Sequence, residues 1–281
     1  MPDFRFLLRV SRPRFWFYIF GPYIVGLIAG VVTRNELLDW RTILFAVYFL
    51  FPANLLIYGV NDIFDYETDR LNEKKLDYES LVETNQHKSL AIWIAVFNLP
   101  CIITALIFVS TTWIALTGFL FFSIFYSAPP IRAKAIPFLD SAFNILYIFP
   151  GVFGYQILTG NFPPMILLIA AGLWTSAMHA YSAIPDIEAD KKAGLKTIAT
   201  VCGAYGTLAV CFCLYLAAAI LSFSYLGFIC ASLGGIYLII MLASAFSVKN
   251  GSVFKLYRWF PIINAISGAV IFWQIALDKL L

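Results

Sequence analysis

Hydrophobic residues in this 281-residue chain gather in long windows that are nearly free of charge. A window of about 20 apolar residues is long enough for a helix to cross a bilayer. Nine such windows occur, at residues 15–33, 42–61, 90–110, 113–128, 138–158, 164–184, 198–221, 225–246 and 259–277. The pattern predicts an all-α, polytopic membrane protein, with nine transmembrane helices in one bundle and a single domain over residues 1–281.

The composition agrees with this pattern, since 61% of the residues are hydrophobic and 12% are charged. The longest polar stretch, residues 62–89, is too short to bury a core of its own, so we expect no separate soluble domain. The first window follows a basic segment without a small-residue cleavage site, which favours a membrane anchor over a cleaved signal peptide.

The basic residues give an orientation, because Lys and Arg concentrate in cytoplasmic loops. With the N-terminus inside, the inner segments hold 16 of the 19 Lys and Arg residues. The outer segments hold only Arg34, Arg41 and Lys279. We therefore expect a cytoplasmic N-terminus and an external C-terminus. The net charge of +3 then reflects orientation in the bilayer, and we expect no nucleic-acid partner.

The second window ends in a concentration of acids, in the stretch IYGVNDIFDYETDRLNEKK. Asn61, Asp65 and Asp69 are spaced by four residues, so a continuing helix places all three on one face. Asp62 lies about 60° from Asp65 around the helix axis and joins that face, whereas Glu67 points away. We expect this face to lie at a solvated helix end on the cytoplasmic side.

A second acidic motif, in AYSAIPDIEADKKAGLKTIAT, follows the sixth window. Asp186 and Asp190 repeat the four-residue spacing, and DIEAD superposes two Asp and one Glu on DYETD of the first motif. Two half-bundles that face each other would bring these carboxylates together. The repeat therefore predicts a central cavity that opens near the cytoplasmic face.

Clustered carboxylates repel one another unless a cation compensates them. Mg²⁺ prefers oxygen ligands and retains waters and substrate phosphates, so the two Asp pairs suit Mg²⁺ that bridges the protein to a diphosphate. Nearby basic residues would neutralise the remaining phosphate oxygens. These residues are Lys74, Lys75, Arg132, Lys134, Lys191 and Lys192.

The alternative from another functional class is a divalent-cation transporter, in which acidic pairs bind the ion in transit. Alternating access places such a site near the middle of the membrane. No acidic pair lies in the middle of a window, which disfavours the transporter.

The motifs resemble those of the UbiA superfamily of intramembrane prenyltransferases. NDIFDYETD matches the first Asp motif of that family, DIEAD matches the second, and YSAPPIRAKAIPFLDSAFN (residues 126–144) is similar to the loop after its fourth span. The resemblance implies nine spans and an Mg²⁺-dependent transfer of a prenyl group from an isoprenyl diphosphate donor to a lipophilic acceptor. The donor would ionise to an allylic cation that is shielded from water until the acceptor attacks.

The resemblance also implies roles for individual residues. The metal ligands would be Asp62, Asp65, Asp69, Asp186 and Asp190, and the last four of these would be catalytic together with Tyr126. The residues that bind the donor diphosphate would be Asn61, Lys74, Arg132, Lys134 and Lys191. Many members carry an Arg-Pro pair where this chain has Lys74 and Lys75.

Within the superfamily, the chain most resembles the carotenoid-modifying lycopene elongases, through SRPRFWFYIFGP, LNEKK and the YSAPP loop. That resemblance implies dimethylallyl diphosphate as donor and a terminal alkene of lycopene as nucleophile. The alternative acceptor is an aromatic quinone precursor, of the hydroxybenzoate or dihydroxynaphthoate type, or a chlorophyll-type molecule, because the YSAPP loop occurs in those branches too.

Overall fold

The computed structural model describes residues 3–69, 82–249 and 253–280, except for the side chains of residues 67–69. All regular secondary structure in these ranges is helical, which confirms the all-α prediction. The α-helices are α1 (Phe4–Val10), α2 (Phe17–Gly30), α3 (Trp40–Leu50), α4 (Pro52–Asp69), α5 (Thr84–Phe108), α6 (Trp113–Ser127), α7 (Leu139–Ala142), α8 (Phe149–Thr159), α9 (Met165–Ala183), α10 (Ile187–Lys192), α11 (Ile198–Val248), α12 (Val253–Tyr257) and α13 (Phe260–Leu280).

Seven helical stretches in the described ranges are long and apolar enough to cross a membrane. The first predicted window is not among them, because α2 has only 14 residues. Two other predicted windows, residues 198–221 and 225–246, both lie within the 51 residues of α11. The count of nine crossings is therefore not confirmed and stays a prediction, as does the central cavity.

Helix α11 folds back on itself at Gly227, whose backbone is non-helical (φ 56°, ψ −140°). The rings of Tyr215 and Tyr237 stack with centroids 4.8 Å apart. In a straight helix these residues would be about 33 Å apart. Glycine adopts this left-handed backbone without the Cβ clash of other residues. The two arms of α11 correspond to the two predicted windows.

The helices pack into two compact units. Unit 1 consists of residues 1–132, 149–162 and 275–281, and unit 2 consists of residues 133–148 and 163–274. In unit 1, α2 packs along α8, and in unit 2, α9 packs along α11. The first acidic motif belongs to unit 1 and the second to unit 2. The prediction of a single domain stays a prediction.

Helix α4, which carries the first acidic motif, is separated from α3 by a break at Pro52. The last carbonyl groups of α3 have no intrahelical partner because the helix ends there, and Pro52 has no N–H to offer. The buried Asn54 side chain donates to Phe49 O at 3.0 Å, and Asn98 of α5 donates to Pro52 O at 3.1 Å. Buried side-chain amides thus satisfy carbonyls at the break, which stabilises the start of α4.

Glycines allow α2 and α8 to approach closely. A Cβ atom on Gly26 would lie 2.0 Å from Gly151 O, and one on Gly154 would lie 2.4 Å from Tyr23 O. Small residues at such contacts let helix backbones touch in a membrane protein. Any larger side chain at Gly26 must therefore push the two helices apart.

We predict that Gly26→Ala lowers the stability of the protein by about 1–3 kcal/mol, as overpacking of a tight interface does. The measurement is the thermal unfolding midpoint of the detergent-solubilised protein. Gly21→Ala is the matched control in the same helix, because nothing beyond its chain neighbours and its own helix backbone lies within 4 Å of its added Cβ. Equal midpoints for the two variants would contradict the tight α2–α8 contact.

Candidate active site

The last turns of α4 place Asn61 and Asp65 on one face, next to the end of α6. The Asn61 side-chain amide donates hydrogen bonds to Asp65 Oδ2 and to Ser127 Oγ, the latter at 3.0 Å. The Ser127 hydroxyl donates to Asp65 Oδ2 at 3.3 Å. These contacts fix the orientation of the Asp65 carboxylate between the two helices.

Arg132 supplies a positive charge to the same carboxylate. Its Nη2 lies 3.7 Å from Asp65 Oδ1, although the Arg132 side chain remains 42% exposed. Its Nε is buried and has no hydrogen-bond partner among the described residues. A buried N–H without an acceptor is costly, so this donor suits an anionic ligand beside Asp65.

Asp62 forms an ion pair with Arg12, from the turn that follows α1. Arg12 Nη2 lies 2.7 Å from Asp62 Oδ1, and the guanidinium also lies over the Tyr58 ring, 4.7 Å from its centroid. Arg12 is one of the 16 basic residues of the inner segments, and its pairing with Asp62 is not apparent from the sequence. No local spacing indicates it, because the partners are 50 residues apart.

The expectation of a solvated helix end is wrong for these two acids. Asp65 is only 1% exposed and Asp62 only 7% exposed. The physical reason is that α6 and the segment after α1 cover this face of α4 and supply Ser127 and Arg12. A buried carboxylate is stable only when donors and cations compensate it, and both acids have such partners.

The second acidic motif lies where α9 ends in a short 3-10 turn, Ile184–Asp186, before α10. Asp190 in α10 is half-buried and accepts a hydrogen bond from Thr197 Oγ1 at 3.4 Å. The charges that act on Asp190 are those of Asp186, Lys134 and Asp140. Two like charges and one opposite charge therefore act on this carboxylate.

The remaining predicted site residues lie either elsewhere on these helices or outside the described part of the chain. Tyr126 is half-buried in the last turn of α6. Lys191 lies on the exposed face of α10, with its Nζ 3.8 Å from Glu188 Oε1. The Asp69 side chain and all of Lys74 lie outside the described part of the chain.

The donor chemistry of both motifs fits Mg²⁺. The described His, Cys, Asp and Glu side chains form no group of three that would make a complete metal site by itself. They offer carboxylates with neutral hydroxyl oxygens beside them, such as Asp65 with Ser127 and Asp190 with Thr197. Mg²⁺ is typically held by one or two carboxylates together with waters and substrate phosphates.

Comparison with known proteins identifies the family. The model of the UbiA prenyltransferase family matches residues 20–275. A lycopene elongase/hydratase from Haloarcula japonica is 39% identical over 268 residues, which are 94% of this chain and 89% of that protein. A lycopene elongase/hydratase from Halobacterium salinarum is 36% identical over 270 residues, or 95% of each chain.

The fold agrees with the family match. The solved structure of a UbiA homolog from Archaeoglobus fulgidus, bound to GPP and Mg²⁺, has a TM-score of 0.71 to this chain at 23% sequence identity. The similarity covers 96% of this chain and 99% of that one. This chain therefore belongs to the UbiA prenyltransferase family, and it is an integral, multi-pass membrane prenyltransferase.

Proposed function

We propose that this protein transfers a dimethylallyl group from dimethylallyl diphosphate to a terminal alkene of lycopene. The observation that supports this acceptor is the similarity to lycopene elongase/hydratases, which extends over 94% and 95% of this chain rather than over one segment. Membership in a prenyltransferase family favours transfer chemistry over the divalent-cation transporter.

We propose that carboxylates of both acidic motifs hold the magnesium. The proposed ligands are Asp62, Asp65, Asp69, Asp186 and Asp190. When bound, Mg²⁺ supplies a positive charge that stabilises the leaving diphosphate. The support is the all-oxygen donor set of the described members and the repulsion between Asp186 and Asp190, which a cation would relieve.

We propose that neighbouring donors bind the remaining diphosphate oxygens. Arg132 supports this role best, because its guanidinium is partly exposed beside Asp65 and its buried Nε has no partner among the described residues. Lys134 acts on Asp190 and would do the same beside the second motif. The further residues in this proposal are Asn61, Lys74, Lys191 and, next to the reacting carbon, Tyr126.

The proposed reaction breaks the bond between C1 of the donor and the diphosphate oxygen, and the diphosphate leaves with the electron pair. The alkene of the acceptor then forms a carbon–carbon bond to C1, which moves the cation to the neighbouring acceptor carbon. That cation either loses a proton or binds water and then loses a proton. Other water must be excluded from the allylic cation until the carbon–carbon bond has formed.

We propose nine membrane crossings with a cytoplasmic N-terminus and an external C-terminus. The two arms of α11 and the short α2, added to the other long helices, supply the nine segments. The distribution of basic residues supports the orientation, because 16 of 19 fall in the inner segments. Both acidic motifs would then face the cytoplasm, where a soluble prenyl diphosphate has access.

The first test is the removal of single carboxylates. We predict that Asp65→Asn and Asp186→Asn each lower the rate of prenyl transfer by about 100-fold or more, the cost of losing a key electrostatic contact. Glu188→Gln is the matched control, because Glu188 is 84% exposed and lies on the outer face of α10. Transfer of a radiolabelled dimethylallyl group by purified protein measures all three. More than a tenth of wild-type activity in either Asp variant, with the protein folded, would overturn the metal assignment.

The second test concerns orientation in the membrane. In a background without the native cysteines, we predict that Glu188→Cys reacts with a membrane-impermeant maleimide only from the cytoplasmic side. Asn161→Cys, which is also exposed and precedes α9, should react only from the outside. The opposite pattern in intact cells and in inverted vesicles would refute the proposed topology.

The third test identifies the acceptor. In a host that accumulates lycopene, we predict carotenoids heavier than lycopene by one or two five-carbon units, with or without added water. Mass spectrometry of the lipid extract measures them, and a host that expresses Asp186→Asn is the control. If lycopene stays unchanged while a quinone precursor is prenylated, the proposed acceptor is wrong and the prenyltransferase assignment stands.

A further inference from the structure

Asp140 is a fully buried carboxylate to which the proposed reaction assigns no role. Its Oδ2 accepts a hydrogen bond from Ile198 N at 2.9 Å, across 58 residues of sequence. Ile198 is the first residue of α11. The first N–H groups of a helix have no intrahelical acceptor and carry a partial positive charge, so they stabilise a buried carboxylate. Asp140 therefore ties the segment that contains Lys134 to the start of α11.

The residue before Ile198 contacts the second acidic motif. Thr197 caps α11 in a reciprocal pair with Thr200, in which Thr200 N donates to Thr197 Oγ1 at 3.2 Å. The Thr197 hydroxyl donates in turn to Asp190 Oδ2 at 3.4 Å. Two adjacent residues at this helix start thus connect Asp140 to Asp190.

We propose that Asp140 is a positioning residue for metal binding at the second acidic motif. By fixing the first turn of α11, it holds the Thr197 hydroxyl where it orients the Asp190 carboxylate. This inference rests on the proposed function, in which Asp190 is a metal ligand. Residues that orient metal ligands typically change metal affinity by 10- to 100-fold when they are replaced.

Two substitutions separate the negative charge of Asp140 from its role as a hydrogen-bond acceptor. Asp140→Ala removes the hydrogen bond to Ile198 N together with the charge. Asp140→Asn removes the charge but keeps a side-chain oxygen that accepts from Ile198 N. A positioning role through the hydrogen bond predicts a strong defect in the Ala variant and rescue in the Asn variant.

The experiment is a Mn²⁺ titration of the reconstituted full chain, followed by electron paramagnetic resonance in the presence of inorganic diphosphate. We predict that Asp140→Ala raises the Mn²⁺ dissociation constant about 10- to 100-fold. Asp140→Asn should stay within about threefold of wild type. Thr197→Val should weaken binding in the same direction, and Thr197→Ser, which keeps the hydroxyl, should restore it.

The double variant Asp140→Ala with Thr197→Val tests whether Asp140 acts through Thr197. Both changes disturb the same contact, so their effects should not add. We predict that the double variant has about the same Mn²⁺ affinity as the single variant that binds Mn²⁺ less tightly. Asp39→Ala is the control for loss of a helix cap, since Asp39 caps α3 by accepting from Arg41 N at 2.8 Å. It should lower thermal stability without changing Mn²⁺ affinity.

The inference is overturned if Asp140→Ala binds Mn²⁺ like wild type, if Asp140→Asn is as defective as the Ala variant, or if the two single effects add. Where Asp140→Ala does not fold, wild-type affinity in Thr197→Val overturns it. A wild-type protein that binds no Mn²⁺ refutes it too. Mn²⁺ binding without prenyl transfer to lycopene would refute the proposed acceptor alone and leave the role of Asp140 intact.

Discussion

Compensation of buried acids is the constraint on which the rest of this structure depends. In a helical membrane protein with 12% charged residues, Asp62 and Asp65 lie almost fully buried near the end of one helix. Each must have a cation or several donors nearby, because an uncompensated buried charge costs several kcal/mol. Arg12 and Arg132 supply the cations from segments far from α4 in sequence. The ion pairs therefore fix where these segments lie as much as they stabilise the acids.

The two acidic motifs meet this constraint in different ways. In the first, Arg12 pairs with Asp62, whereas Arg132, Asn61 and Ser127 contact Asp65. In the second, Asp190 has a hydroxyl partner and a lysine but also feels the charges of two other acids. Two further acids therefore act against the negative charge on Asp190.

The sequence predicted the helical class, the long apolar segments and the positions of both acidic motifs, because hydrophobic windows and four-residue spacings are local patterns. It missed the pairing of Arg12 with Asp62 and of Asp140 with Ile198, since these partners are 50 and 58 residues apart and no local pattern encodes them. It also misjudged the solvation of Asp65, because burial depends on which other helices cover a face. The windows place the break between residues 221 and 225, whereas the structure folds back at Gly227, inside the window 225–246. The shortness of α2 had no signal in hydropathy.

The arginines that pair with the first acidic motif have an unusual backbone conformation. Three non-glycine residues in the described ranges have positive φ, and two of them are Arg12 (φ 50°) and Arg132 (φ 46°). A left-handed backbone costs a residue with a Cβ roughly 1–2 kcal/mol. Breaking a buried ion pair costs about 3–5 kcal/mol, because the remaining charge is left without a partner. For Arg12, whose pair with Asp62 is largely buried, the second cost exceeds the first. The strained conformation is therefore the stable one, and the ion pair holds the guanidinium against α4.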